Sequence, residues 1–169
     1  MSDTHFTGTK KSGGWRSILG RGPETLEELI HCLEEVFADV EMVVHAGDIT
    51  SQTVLDELKK FGPVEAVQGN MDRSKLSSLP EERVLEIEGR KIGVVHGWGA
   101  PGGIQQRIRS RFQDVDVIIY GHTHEPFNEI IDGVLFFNPG SPTDNFFAPY
   151  KSVGILEVEQ EIRGRIVKL

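Results

Sequence analysis

Residues 115–124 read Val115-Asp116-Val117-Ile118-Ile119-Tyr120-Gly121-His122-Thr123-His124, an apolar run that meets a glycine and then presents two imidazoles. A short apolar run bounded by a turn residue reads as a buried strand. The same arrangement recurs upstream. Val43-Val44-His45-Ala46 leads into Gly47-Asp48, Val64-Glu65-Ala66-Val67-Gln68 into Gly69-Asn70-Met71-Asp72, and Ile92-Gly93-Val94-Val95 into His96-Gly97. Asp3-Thr4-His5 opens the chain. In open α/β sheets, ligands bind beyond the carboxyl ends of the strands, so these side chains are expected to share one rim. A set of Asp, Asn and His suits divalent metal better than it suits any single nucleophile.

Around these clusters the chain alternates. Helix one is expected from Pro23, with Leu26, Leu29, Ile30, Leu33, Val36 and Phe37 as its buried stripe and His31 on the opposite, solvated side. A strand over 41–46, a helix over 52–60 capped by Thr50 or Ser51, and a strand over 64–69 make β-α-β units with parallel pairing. The second half reads as a hairpin over 83–95, a short helix over 103–113, and strands over 115–120, 126–131, 134–138, 152–159 and 161–168. Asp132-Gly133 is a strong hairpin turn signal. The sum is an α/β fold, a four-layer α/β/β/α sandwich of two mixed sheets flanked by helices, in one domain over 1–169. Only Met1 and Ser2 precede Asp3, so the first strand is missing or truncated, and Asp3 and His5 are expected to hang from a loosely held chain end.

At 169 residues with 38% hydrophobic content, a packed core is feasible. The net charge of −8 argues against an extended nucleic-acid surface and suits a cation-attracting site. The single Cys32 excludes an internal disulfide and a Cys-based zinc knuckle, and reads as an inert helix residue. No apolar stretch is long enough to span a bilayer, so a cytoplasmic protein is expected. Residues 6–22 are rich in Gly, Lys, Ser and Arg and read as a solvated loop. A homo-oligomer is compatible with the sequence, which does not compel one.

Asp3-Thr4-His5, Gly47-Asp48, Gly69-Asn70, His96-Gly97 and Gly121-His122-Thr123-His124 occur in the order of the calcineurin-like metallophosphoesterases. With Asn70-Met71-Asp72 and the Asn138-Pro139-Gly140-Ser141 loop, the chain resembles their small prokaryotic phosphodiesterase branch, which is similar in fold to the retromer scaffold subunit. The resemblance implies two divalent ions, Mn²⁺ or Ni²⁺ first and Zn²⁺ or Fe²⁺ as further options. It implies Asp3, His5, Asp48 and His124 on one ion and Asp48, Asn70, His96 and His122 on the other, with Asp48, Asn70, His96 and His122 as the catalytic set. Asp48 is the expected bridge, because a carboxylate can span two metals where a neutral imidazole cannot. The activity implied is hydrolysis of small phosphate esters, phosphodiesters foremost, by a hydroxide bridging the metals. The alternatives are an interaction scaffold with little catalysis and a nucleotide- or oligonucleotide-directed diesterase.

Several neighbours of these clusters have two readings. His45 is structural or supports a ligand. Asp72 orients a ligand or caps a turn. Ser141 touches phosphate or is a turn hydroxyl. His122 and His124, two apart, would face one side if they lay in a strand. Met71 stands where many family phosphatases carry a His able to protonate the leaving group, and a thioether cannot transfer a proton.

Overall fold

A computed structural model describes residues 1–4, 22–72, 76 and 78–169. The first helix, α1 (Leu26–Val36), starts after Thr25 rather than at Pro23. The Thr25 hydroxyl accepts from Glu28 N, and the Glu28 carboxylate accepts from Thr25 N, so two otherwise orphaned donors are satisfied reciprocally. Then come β1 (Val43–His45), α2 (Gln52–Leu58) capped by Ser51, β2 (Val64–Ala66), β3 (Glu82–Ile87), β4 (Arg90–Val95) and α3 (Ile104–Arg109). The strands β5 (Val117–Ile119), β6 (Phe127–Ile131), β7 (Val134–Asn138), β8 (Ser152–Val158) and β9 (Ile162–Lys168) complete the order.

One sheet runs β3-β4-β5-β7-β6, parallel through its centre and antiparallel at both edges. The second layer contains β1 parallel to β2, and β8 antiparallel to β9. Among the described residues these are two separate ladders, where one continuous sheet was expected. The reason lies between them. Met1 N donates to Val44 O, Ala46 N donates to Met1 O and Asp3 N donates to Gly47 O, so Met1–Asp3 runs beside β1 as a short bonded segment. On its other flank Ser2 Oγ donates to Gly140 O, and Ser141 Oγ and Thr143 Oγ1 donate to Asp3 O. The segment is too short to complete a ladder, yet Met1 is 5% exposed and Ser2, Asp3 and Thr4 are fully buried. This corrects the expectation of a loosely held end for Asp3.

Side chains alternate between faces of a strand, and three apolar clusters follow that alternation. Val43, Val153, Ile155 and Val167 pack against α1 and α2 through Leu29, Leu33, Val54 and Leu58. Val44, Leu156, Val158 and Ile166 turn the other way and meet Ile92, Val94, Val117, Ile119 and Phe137 of the larger sheet. Val95, Ile118 and Phe136 point out of that sheet onto Ile104, Ile108 and Phe112. The layer order is therefore α, β, β, α, and the ends of β1, β2, β4 and β5 open on one rim.

Candidate metal centre

The side chains named from the sequence leave their strands through unusual backbone. Asp3, Asp48, His122 and His124 have φ of 54°, 56°, 70° and 58°. Positive φ is sparsely populated by residues with a Cβ and collects at functional sites, where the surroundings over-determine it. His122 and His124 do not lie in a strand, since β5 ends at Ile119, so strand alternation does not align them. Their left-handed backbone instead sends them apart, His122 toward Asn70 and His124 toward Asp3.

Six of the seven residues converge. Asp3 Oδ1 lies 3.3 Å from His124 Nε2 and 3.8 Å from His96 Nε2. Asp48 Oδ2 is 3.3 Å from His96 Nε2. Asn70 Oδ1 is 3.1 Å from His96 Nε2 and 3.3 Å from His122 Nδ1. Asp3, Asp48 and His96 are all buried, and each offers a ligand atom within 4.8 Å of the others. His5 lies outside the described residues.

The donor chemistry fits divalent ions. Each imidazole has one nitrogen committed outside the cluster. His96 Nδ1 is 2.7 Å from Ala46 O and His122 Nε2 is 2.8 Å from Gly99 O. A carbonyl only accepts, so these nitrogens donate, and His96 Nε2 and His122 Nδ1 are the ring atoms left to face the cluster, where a bound cation would take the place of a proton. His124 Nδ1 lies 2.6 Å from Asp144 Oδ2, which leaves Nε2 facing Asp3. Asp3 Oδ1 is buried with no hydrogen bond among the described residues. Its company is the His124 and His96 rings at 3.3 and 3.8 Å, and a cation would meet its charge more directly.

Protonation tells the same story. Burial pulls the His124 ring down, but Asp3 and Asp144 outweigh it and raise the pKa to about 9. Burial likewise opposes charge on His96, and Asp48 and Asp3 overcome it, so this ring too is held above its ordinary value. Without metal, protons do the work of balancing the two carboxylates.

The flanking residues resolve into definite roles. Asp72 accepts from Ile49 N and Thr50 N through Oδ1 and from Gly69 N through Oδ2, tying the loop after β1 to the loop after β2. It is a loop organiser. Asp48 Oδ1 accepts from Met71 N at 2.8 Å. Ser141 is fully buried, spends its hydroxyl on Asp3 O and accepts from Asp144 N, which is the turn role. His45 Nε2 lies 3.1 Å from Thr4 Oγ1, beside the first ligand segment. His31 is on the exposed side of α1, 3.1 Å from Glu34. Asp144 escaped the sequence reading. Its one sequence signal was its place just beyond the Asn138–Ser141 loop.

Two carboxylates, an amide and three imidazoles on one rim, fed by four strand ends of an α/β/β/α sandwich, form a candidate metal centre. Residues 1–161 match the model of the calcineurin-like phosphoesterase superfamily domain, and the chain belongs to that family. A probable metallophosphoesterase of Methanothermobacter thermautotrophicus is 42% identical over 123 residues, covering 72% of each chain. A phosphodiesterase of Methanocaldococcus jannaschii is 32% identical over 148 residues, 79% of this chain and 87% of that one. Chaetomium thermophilum Vps29 superposes with a TM-score of 0.66 over 80% of this chain and 83% of its own, and at 19% identity it speaks for the fold alone. Among the described residues no helix is long and apolar enough to cross a membrane.

Proposed function

We propose that the chain is a dinuclear metal-dependent phosphodiesterase acting on small phosphate esters. The observation that carries the reading is the convergence of Asp3, Asp48, Asn70, His96, His122 and His124, with one ring nitrogen each of His96 and His122 directed inward. Membership of a phosphoesterase family and likeness to a named phosphodiesterase support it. Asp3, Asp48 and His124, with His5, would hold one ion. Asp48, Asn70, His96 and His122 would hold the other, so that Asp48 is shared. Two divalent ions, when bound, supply a hydroxide nucleophile at neutral pH and neutralise charge on the phosphoryl oxygens. Mn²⁺ and Ni²⁺ head the expected ions, with Zn²⁺ and Fe²⁺ behind them. Residues 1–169 are read as one such unit, since the cores on both faces of the smaller β layer join elements from both ends of the chain.

The chain's own residues set the substrate range. Met71 is 60% exposed at the rim and has no proton to give. Esters whose leaving group departs without a proton are therefore favoured. Hydrolysis of bis(p-nitrophenyl) phosphate beside p-nitrophenyl phosphate, across a metal panel with elemental analysis, tests the reading. Diester cleavage with about two metals per chain is expected, and Asp48→Asn should lose both the metal and the turnover. Metal-loaded protein that cleaves neither ester overturns it.

A further inference from the structure

A cleft of about 260 Å³ adjoins the metal centre on the Asn70 and His96 side, and Gln68, Glu82, Trp98 and Arg111 also line it. Trp98 is 43% exposed, so its ring contributes little to any core. Its loop is nonetheless rigidly held. Gly97 and Gly99 on either side have φ of 98° and 80°. The Arg107 guanidinium binds the carbonyls of Trp98, Ala100 and Gly102. The same loop carries Gly99 O, which orients His122. Arg111 sits over the Trp98 ring at 6.0 Å and is fixed by Glu82 at 2.6 Å. A large ring kept exposed on a fixed loop, beside the reacting centre, has the form of a stacking platform.

The polar groups narrow what it takes. Gln68 offers both a donor and an acceptor, and Glu82 offers acceptors, which suits the amide-like edge of a nucleobase. Glu81 also lines the cleft, so two carboxylates stand against one guanidinium. Further phosphates are repelled and an uncharged ring is not. The cleft is smaller than the roughly 300–1,000 Å³ of drug-sized sites, so it takes one ring system rather than a polymer.

We propose that this cleft is a subsite for a planar, uncharged heteroaromatic substituent, a nucleoside, on a phosphodiester. Trp98 stacks the base and Gln68 and Glu82 read its edge. The inference rests on the phosphodiesterase reading above.

The test uses the metal-loaded full chain with thymidine 5′-(p-nitrophenyl phosphate) and p-nitrophenyl methyl phosphate, which share a leaving group. The ratio of kcat/KM is expected to favour the nucleoside diester by about ten-fold or more, mostly through KM, as base stacking on an aromatic ring warrants. Trp98→Ala should bring the ratio to about one, and Trp98→Phe should retain most of it. Fluorescence gives a second readout, because Trp15 is the only other tryptophan. Thymidine 5′-monophosphate should quench the Zn²⁺-loaded protein and leave Trp98→Phe unquenched. Cleavage of both diesters at a ratio that Trp98→Ala does not change overturns the subsite and leaves the phosphodiesterase reading standing. If neither diester is cleaved, that reading fails, and the quench decides the subsite: its presence supports a nucleotide site, its absence overturns it.

Discussion

Asp144 does for His124 what backbone carbonyls do for the other two rings, but with a full charge. Its Oδ2 also accepts from Phe147 N and Ala148 N at 3.0 Å each and its Oδ1 from Phe146 N at 2.8 Å, so the carboxylate is fixed before any metal arrives. Asp144→Asn keeps an acceptor and removes the charge. Metal affinity is expected to fall by about ten- to a hundred-fold, as for other carboxylates that orient ligating imidazoles, with competition against a chelator as the readout. Protons compete for the same ring. The His124 pKa is raised to about 9, so in metal-free protein its contribution is full below the ordinary value of 6.5 and is lost as pH rises through 9. The buried Met1 amine works the other way. Desolvation lowers it from 8.0 to about 5, against the pull of Asp3, so its contribution grows over that interval and masks the His124 term. Comparing the metal-free protein with its Asp144→Asn variant cancels the amine. The wild type should lose about 1 kcal/mol of its advantage between pH 6.5 and 9. Denaturation curves at three pH values that keep a constant gap would sink this account.

At the scale of elements, the centre is assembled by loops rather than strands. The strands deliver Asp48, Asn70, His96 and His122 to one rim, and that much was legible from apolar runs ending in Gly-Asp, Gly-Asn and Gly-His. The strand and helix positions were legible for the same reason, because period-two and period-3.6 burial is written locally. What was not legible is the final aim of the side chains. It depends on left-handed backbone at His122 and His124, which no periodicity encodes, and on partners far away in sequence such as Asp144. The role of Asp72 was ambiguous because its three backbone partners lie on two loops. Glycines complete the fit. A Cβ at Gly121 would lie 2.8 Å from Asp3 Oδ2, and one at Gly69 would overlap Asp48 Oδ1. Asp72→Ala would leave three backbone donors without their carboxylate. A loss of about 3 kcal/mol or more is expected from such groups, with a matching fall in metal affinity. Urea denaturation with and without Zn²⁺ measures both. A variant as stable as the parent would show that the two loops hold themselves.

Across the whole molecule, the smaller β layer is two ladders stitched by three residues. Met1–Asp3 bonds β1 through Val44, Ala46 and Gly47, and Ser2 and Asp3 bond the Gly140–Thr143 loop that leads to β8. Met1 also fills the core under α1 and α2. Burying a Met is worth about 1.5–3 kcal/mol, and each of the three backbone bonds adds about 0.5–1.5 kcal/mol. Keeping the amine neutral offsets about 1.4 kcal/mol of this at pH 7. The remainder is a sizeable part of the roughly 5–15 kcal/mol that holds an ordinary domain together. The segment is therefore a structural seam that also carries Asp3, a proposed ligand, and the two roles are separable. A chain lacking residues 1–4 should melt well below the full chain, by about 5 °C or more, whereas Asp3→Asn keeps the backbone bonds and should lose metal without unstitching the layer. Hydrogen exchange locates the effect. Amides of β1 and β8 should lose protection first in the shortened chain, while those of β4, β5 and β7, which lie inside the five-stranded sheet, stay protected. Equal melting of the shortened and full chains, or uniform loss of protection across both layers, would mean that the ladders hold together through their side-chain cores alone.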